Sequence, residues 1–175
     1  LCAAMVFFTT PVGTDNCPGA TTTQTAGLPS GSSYPVGITT NVYRVTDGSG
    51  NTATCSFTVT VYDNQAPSIT CPTNINVFNT PNVCGAVVHF TLPVGTDNCP
   101  GATTTQIAGL GSGSSYPLGT TTNTYRVTDA AGNTKNCSFT VTVNDNQAPA
   151  ITCPANISVN NTPGLCGATV TYTTP

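Results

Sequence analysis

The nine cysteines of this 175-residue sequence are the side chains whose type and spacing could support chemistry. They recur at separations of 15, 38, 16 and 13 residues, and none of them forms the CxxC pair that is typical of zinc sites and redox motifs. The single histidine, His89, does not recur with any cysteine, so no cysteine–histidine nucleophile is expected. The pattern favours disulfide bonds, which persist in oxidising compartments.

Two aspartate–asparagine pairs could bring a carboxylate next to a carboxamide. Asp47 precedes Asn51, and Asp129 precedes Asn133, in the segments DGSGN and DAAGN. No nucleophile or general base accompanies them. Such segments are typical of tight turns, in which the aspartate accepts hydrogen bonds from nearby backbone N–H groups and the glycine adopts a positive φ. We therefore expect turns here and no enzyme activity.

The composition excludes several classes of partner. Charged residues make up 5% of the chain, against about 25% in an ordinary soluble domain. The net charge of −3 and the absence of a basic patch argue against binding to nucleic acid or to an anionic membrane. No apolar run approaches the roughly 18 residues that a membrane span needs, so membrane insertion is not expected.

The cysteines and acids belong to an internal repeat, so they are expected to occupy equivalent positions in each copy of one fold. Residues 1–82 align with residues 83–164 without a gap, and 62 of the 82 positions are identical. The sequence predicts an incomplete domain at 1–64 that lacks its first strand, a complete domain at 65–146, and the first strands of a third domain at 147–175. We expect the 175 residues to be part of a longer array.

The elements of each repeat are predicted to be β-strands. In 125–143, apolar and polar residues alternate on both sides of the DAAGN turn, which is typical of a hairpin with one buried face. Tyr43 and Tyr125 are expected to face the core, and the segment GLPSGSSYPVG is interpreted as a turn-rich crossing. Since no helical periodicity is found, the predicted fold class is all-β: tandem immunoglobulin-like β-sandwiches with an 82-residue repeat.

Three disulfide pairings are open to the four cysteines of the complete domain. We favour Cys71–Cys137, because the first and last strands of an immunoglobulin-like sandwich are neighbours. This choice leaves Cys84 to pair with Cys99, and by translation Cys2 with Cys17. The remaining cysteines are expected to have partners outside this sequence: Cys55, Cys153 and Cys166.

Several fixed-spacing blocks together resemble one known family. The blocks APxITCPxNIxV, CGAxVxxxxP, DNC, GSxYPxGxTxxxYxVTD and GNxxxCSFTVTVxD resemble the HYR (hyalin repeat) family, an immunoglobulin-like module. The Cys84/Cys99 pair resembles the bacterial form, whereas Arg44 and Arg126 stand where the family usually has an apolar or small residue. The resemblance implies tandem modules of large extracellular or cell-surface proteins with adhesive or structural roles. It implies no catalytic residues.

The linker segment resembles a second motif. VNDNQAP is similar to the DxNDNAP junction of cadherins, in which acids of two modules bind calcium. Calcium prefers hard oxygen ligands but takes six to eight of them, and the glutamates that cadherins use are missing here. The alternative is a stiff turn whose proline sets the angle between domains. Calcium is the one cofactor considered, with these candidate ligands: Asp63, Asn64, Asp97, Asp129, Asp145 and Asn146.

The sequence predicts a structural role: a repeat of a long, disulfide-stapled extracellular stalk, adhesin or filament. The alternative is an adhesion module that binds glycans or proteins, and calcium-dependent binding is part of this alternative. The expected partners are neighbouring repeats of the same chain, laterally associated chains in a filament, and surface glycans or proteins. SFTVTV-type strands are uncharged and β-branched, which favours edge-to-edge association unless the edges are covered.

Overall fold

A computed structural model describes residues 1–174 of the chain, and every element in it is a β-strand. Residues 1–64, here called unit 1, contain β1 (Ala3–Val6), β2 (Thr21–Ala26), β3 (Ser32–Pro35), β4 (Gly37–Thr46) and β5 (Thr52–Val61). Residues 65–146, called unit 2, contain β6 (Ile75–Phe78), β7 (Gly85–Val88), β8 (Thr103–Ala108), β9 (Ser114–Pro117), β10 (Gly119–Thr128) and β11 (Thr134–Asn144).

Each unit is built from two sheets that share one core. In unit 2 the larger sheet has the order β6-β11-β10-β8, with β6 parallel to β11, and the smaller sheet pairs β7 with β9. The corresponding sheets of unit 1 are β2-β4-β5 and β1-β3. Side chains of both sheets meet in the core of unit 2: Ala86, Val88, Tyr116, Tyr125, Phe139, Val141 and Val143. The prediction of an all-β sandwich is therefore confirmed.

Aromatic side chains organise that core. The ring of Tyr125 stacks on that of Phe139 with centroids 6.4 Å apart, and Phe90 meets Phe139 edge-on at 4.9 Å. Tyr43 and Phe57 repeat the stacked pair in unit 1 at 6.3 Å. Tyr43 and Tyr125 are both buried, as their inward position in the alternating pattern predicts.

The first strand of unit 2 has two different pairing partners along its length. Ser68 forms an isolated antiparallel bridge to Thr96, and β6 then pairs with β11 in the larger sheet. Pro72 lies between the two pairings, where a residue without an N–H could not continue a ladder. Ile69 and Cys71 nevertheless pack against the core.

The segment before β4 and its counterpart before β10 were predicted as turn-rich crossings, and that prediction is wrong in part. Each contains a short strand, β3 or β9, with the sequence SSYP. The tyrosine of each strand is completely buried, as Tyr34 or Tyr116. The sequence did not indicate these strands, because each has four residues with one buried side chain, the tyrosine, among glycines and serines that are typical of turns.

The third copy does not form the two strands that its sequence predicts. Residues 147–174 contain a turn but no strand, and the end of the second predicted strand, Pro175, lies outside the described residues. In unit 2 the equivalent strands pair with β11 and β9. Residues 147–174 form no such ladder.

Unit 1 has an open groove where unit 2 has its first strand. A cavity of about 170 Å³ is lined by Val12, Tyr43, Val45, Ala53 and Cys55, among others. The equivalent of Cys55 in unit 2 is Cys137, which is bonded to Cys71 of the first strand. The groove of unit 1 therefore corresponds to the region of unit 2 that lies next to its first strand.

Candidate functional site: the junction between the two units

The hairpin turn between β10 and β11 presents a buried carboxylate at the junction. Asp129 accepts hydrogen bonds from the backbone N–H groups of Ala131 (3.0 Å) and Asn133 (2.8 Å), and from the Asn133 side-chain amide (2.9 Å). Gly132 has φ +93°, a conformation that glycine adopts without strain. Burial raises the pKa of Asp129, but the hydrogen bonds from Asn133 and Ala131 outweigh it, so the pKa lies below its ordinary value. The turn predicted from the sequence is present, and it keeps this carboxylate charged.

Asn133 extends from this turn to the linker between the units. Its side-chain Nδ2 donates to the backbone oxygens of Asp63 (3.2 Å) and Gln65 (3.3 Å) as well as to Asp129. The equivalent Asn51 of unit 1 donates from Nδ2 only to Asp47, at 2.7 Å. The turn of unit 2 thus makes two contacts to the linker that leaves unit 1, in addition to the contact within the turn.

The linker itself is fixed on unit 2 by backbone pairing. Ser68 and Thr96 exchange two N–H···O hydrogen bonds of 2.8 Å, and their hydroxyls lie 3.3 Å apart. Pro67 is buried in this junction, whereas its counterpart after unit 2, Pro149, is exposed. Since proline fixes its own φ, a buried proline restrains the direction in which the chain enters unit 2.

A disulfide crosses the junction, and it corrects two of the predicted pairings. Cys2 of unit 1 is bonded to Cys99 of unit 2, 97 residues later in the chain, whereas Cys17 and Cys84 are free. The predicted pairs Cys84–Cys99 and Cys2–Cys17 are therefore absent from the structure. The predicted Cys71–Cys137 bond is present, with a Cα–Cα distance of 5.6 Å.

The length of the domain explains the correction. Cys99 lies at the end of unit 2 that faces Asp63, whereas Cys84 shares a groove with Asp145 at the other end. β11, with 11 residues at roughly 3.3 Å each, connects these two ends over about 35 Å. The 14 residues between the two cysteines therefore run along the domain instead of closing a loop.

Two carboxylates meet beside the disulfide. Ligand atoms of Asp63, Asp97 and Cys99 lie within 4.8 Å of one another. Asp97 accepts the Cys99 N–H at 2.8 Å through Oδ2, while its Oδ1 is buried and has no hydrogen-bond partner within residues 1–174. The Cys99 sulfur is part of a disulfide and is not a thiolate ligand. The oxygen ligands here suit a hard cation, but two carboxylates are fewer than the six to eight oxygens that calcium takes.

The other calcium candidates are distributed over both ends of unit 2. Asn64 is exposed beside Asp63, and Asp129 is occupied within its own turn. Asp145 and Asn146 follow β11 at the far end. The acid that lies close to Asp97 is Asp63, because the end of unit 1 faces the beginning of unit 2.

Sequence reasoning missed a buried polar network in each unit. Asn123 is fully buried, and its Oδ1 accepts hydrogen bonds from the Tyr116 hydroxyl (3.2 Å) and the Leu110 N–H (2.8 Å). The Tyr116 hydroxyl also donates to the backbone oxygen of Leu110. Asn41 and Tyr34 repeat the arrangement in unit 1. The available signal was an asparagine at an inward position of a strand, seven residues after a tyrosine in both copies.

Comparison with known proteins agrees with this architecture. The HYR domain model matches residues 2–61 and 62–143. Hyalin from Strongylocentrotus purpuratus is 36% identical over 180 residues, which cover 99% of this chain and 15% of that protein. Hyalin from Lytechinus variegatus is 36% identical over 154 residues, covering 85% of this chain and 29% of that protein. The chain thus spans less than a third of the length of either hyalin.

A protocadherin gammaB7 EC3-6 cis-dimer is similar at 17% identity and a TM-score of 0.32, covering 72% of this chain and 41% of that one. In the described part of the chain, no helix is long and apolar enough to cross a membrane. The match of the domain model to both units, together with the two hyalins, shows that this chain belongs to the HYR domain family.

Proposed function

We propose that the chain is an extracellular adhesion-type repeat whose role is structural: it forms part of a long stalk or filament in which successive units are held in fixed relation. The Cys2–Cys99 disulfide carries this proposal, because it gives two neighbouring units a second covalent connection besides the peptide linker. The Asn133 hydrogen bonds and the buried Pro67 restrain the same junction. The two hyalins, which are several times longer than this chain, support a place in a larger array.

The disulfides also support the proposed location. Intracellular thiols are kept reduced, whereas secreted and cell-surface proteins retain disulfides. The Cys71–Cys137 bond closes 66 residues of unit 2, and a small domain gains most from staples that close long loops. Secretion into an oxidising space therefore fits both bonds.

Small-angle X-ray scattering of the full chain would test the structural role. The wild type should give one narrow range of maximum dimensions. The Cys2→Ser/Cys99→Ser double variant should give a broader range because the units can swing about the linker. A Cys17→Ser/Cys84→Ser variant serves as the matched control, since it removes two free cysteines and no bond. Equal breadth in the wild type and the Cys2→Ser/Cys99→Ser variant would contradict a stapled junction.

We also propose that calcium strengthens the junction. The supporting observation is the approach of Asp63 and Asp97 within 4.8 Å, with a buried oxygen of Asp97 that has no hydrogen-bond partner in the described chain. Two carboxylates this close repel each other unless a proton or cation intervenes. Asp63 and Asp97 would hold the ion, with backbone carbonyls and water completing its coordination.

Thermal unfolding in excess calcium and in chelator would test the calcium proposal. A ligand that binds only the native state raises the midpoint of unfolding. The rise should disappear in Asp97→Asn and persist in Asp15→Asn, because Asp15 is the repeat equivalent of Asp97 but belongs to no such cluster in the described residues. An unchanged wild-type midpoint would refute calcium binding and leave the structural proposal in place.

Side-by-side association is the remaining part of the proposal. β8 is at the edge of its sheet, and its outward residues carry no charge, although natural edge strands are usually guarded by lysine. A Thr105→Lys substitution on this edge should reduce association in sedimentation experiments. Thr142→Lys, at a position of β11 that pairs with β10 on one side and β6 on the other, is the matched control and should leave association unchanged. Equal effects of both substitutions would contradict association through this edge.

A further inference from the structure

The two disulfide bonds of the chain are interleaved along the sequence. Cys2 is bonded to Cys99, and Cys71 is bonded to Cys137. The second bond therefore starts inside the loop that the first bond closes, and it ends outside that loop. Because the two loops overlap, several covalent routes lead from Cys2 to Cys137, and these routes differ in length.

The shortest covalent route from Cys2 to Cys137 avoids unit 1 completely. It crosses the Cys2–Cys99 bond, follows the backbone over the 28 residues that separate positions 99 and 71, and crosses the Cys71–Cys137 bond. Without the Cys2–Cys99 bond, the shortest route follows the 69 residues that separate positions 2 and 71. That second route runs through the whole of unit 1. The junction bond therefore decides whether unit 1 belongs to the path of a pulling force.

The folded structure agrees with this choice of path. The Cα atoms of Cys2 and Cys99 are 4.9 Å apart, and Cys99 lies at the end of unit 2 that faces Asp63. β11 continues from Cys137 to the other end of unit 2. Tension that enters through Cys2 thus reaches unit 2 directly at Cys99 and leaves it through β11. The rest of unit 1 lies parallel to a much shorter covalent connection, so it carries almost none of the tension.

We propose that the Cys2–Cys99 bond diverts tension around unit 1, so that unit 2 bears the load while unit 1 keeps its fold. The inference rests on the proposed structural function, since a stalk or filament is the setting in which tension arises. It adds a mechanical difference between two units that are identical at 62 of 82 aligned positions. Unit 1 then retains its exposed surfaces for contacts with other molecules while the chain is stretched.

Single-molecule force spectroscopy of the full chain, with handles at its two ends, tests the path of the tension. In the parent protein, serine replaces the cysteines that are free: Cys17, Cys55, Cys84, Cys153 and Cys166. The fully stretched Cys2→Ser/Cys99→Ser protein should be about 140 Å longer than this parent, because a route of 69 residues replaces one of 28 at roughly 3.4 Å per residue. Cys71→Ser/Cys137→Ser should add only about 35 Å, because its shortest route is the 38 residues that separate positions 99 and 137.

A matched pair of core substitutions reports which unit bears the load. Tyr34→Phe and Tyr116→Phe remove equivalent hydroxyl contacts from unit 1 and unit 2. In the parent, Tyr116→Phe should raise the unfolding rate at constant force about two- to fivefold, whereas Tyr34→Phe should leave it unchanged. In the Cys2→Ser/Cys99→Ser protein the two substitutions should exchange their effects, because the tension then passes through unit 1.

Two outcomes would overturn the proposal, and they are distinguishable. Equal stretched lengths of the parent and the Cys2→Ser/Cys99→Ser protein would mean that the junction bond does not form, and the proposed structural function would then fail together with this inference. A shorter parent in which Tyr116→Phe accelerates unfolding no more than Tyr34→Phe does would overturn this inference alone. Unit 1 would then bear load although the bond is present.

Discussion

The side-chain amide of Asn133 donates a hydrogen bond to the backbone oxygen of Asp63, 70 residues away, at 3.2 Å. Asn133 belongs to a turn of unit 2, and Asp63 belongs to the linker that leaves unit 1. The same amide also holds Asp129, so one side chain stabilises the turn and the junction together. Residues of the repeat itself therefore hold the two units together, and no separate linker domain is needed.

Asn133→Ala should destabilise unit 2 by about 1 kcal/mol more than Asn51→Ala destabilises unit 1, since a net hydrogen bond contributes roughly that amount. Both substitutions remove the contact to the aspartate of the turn, but only the first removes the contacts to the linker. Denaturant unfolding of the two variants provides the comparison. Equal losses would show that the contacts to the linker contribute nothing.

Tyr116→Phe should lower the free energy of unfolding by about 1 kcal/mol, because it removes the hydroxyl that donates to the partly buried Leu110 oxygen and to the buried Asn123 Oδ1. Tyr62→Phe is the control, since Tyr62 is 83% exposed and should change stability very little. Chemical denaturation measures both. A neutral Tyr116→Phe would mean that the network with Asn123 does not contribute to the stability of the core.

Gly109→Ala should be the more damaging of two glycine substitutions. Gly109 has φ +84°, and an added Cβ would lie 2.1 Å from Asn123 Oδ1. Gly119 has a similar φ of +96°, but a Cβ there would meet nothing within 4 Å. Gly119→Ala therefore measures the backbone strain, roughly 1 kcal/mol or more, and the excess in Gly109→Ala measures the clash. Similar melting temperatures of the two variants would contradict the close approach.

The turn carboxylates should make stability depend on pH. The pKa of Asp47 and that of Asp129 are both below the ordinary value of 3.8 because of hydrogen bonds that include those from Asn51 and Asn133. A depressed folded-state pKa contributes stability that is present above about 4 and is lost as the pH falls through the folded pKa. The Asp47→Asn/Asp129→Asn variant should therefore lose less stability than the wild type between about pH 5 and pH 2. Thermal unfolding of both proteins, measured at intervals of about one pH unit, checks this. Parallel plots of stability against pH would contradict a contribution from the two carboxylates.

The strands and the core were predictable because alternation and turn residues are local signals. The hairpins around Asp47 and Asp129 follow from such signals, and so does the inward position of Tyr125. The partner of Cys99 was not predictable in this way. Pairing within one unit requires only the sequence of that unit, whereas Cys2–Cys99 depends on how the end of unit 1 meets the beginning of unit 2.

The metal candidates show the same limit. The sequence identified acids at three positions of the repeat, but it could not show which acids face each other across a junction. Asp63 and Asp97 do so because β11 separates the two ends of a unit and only successive units bring unlike ends together. The buried Asn123 was missed because its partner, Tyr116, lies on a strand too short to show alternation.

Non-reducing peptide mapping of the secreted, oxidised chain tests the stapled junction most directly. The digest should contain one peptide pair joining Cys2 to Cys99 and another joining Cys71 to Cys137, and both should disappear on reduction. Peptides joining Cys84 to Cys99 and Cys2 to Cys17 would contradict the account, since every disulfide would then lie within a unit and the units would be connected by the linker alone.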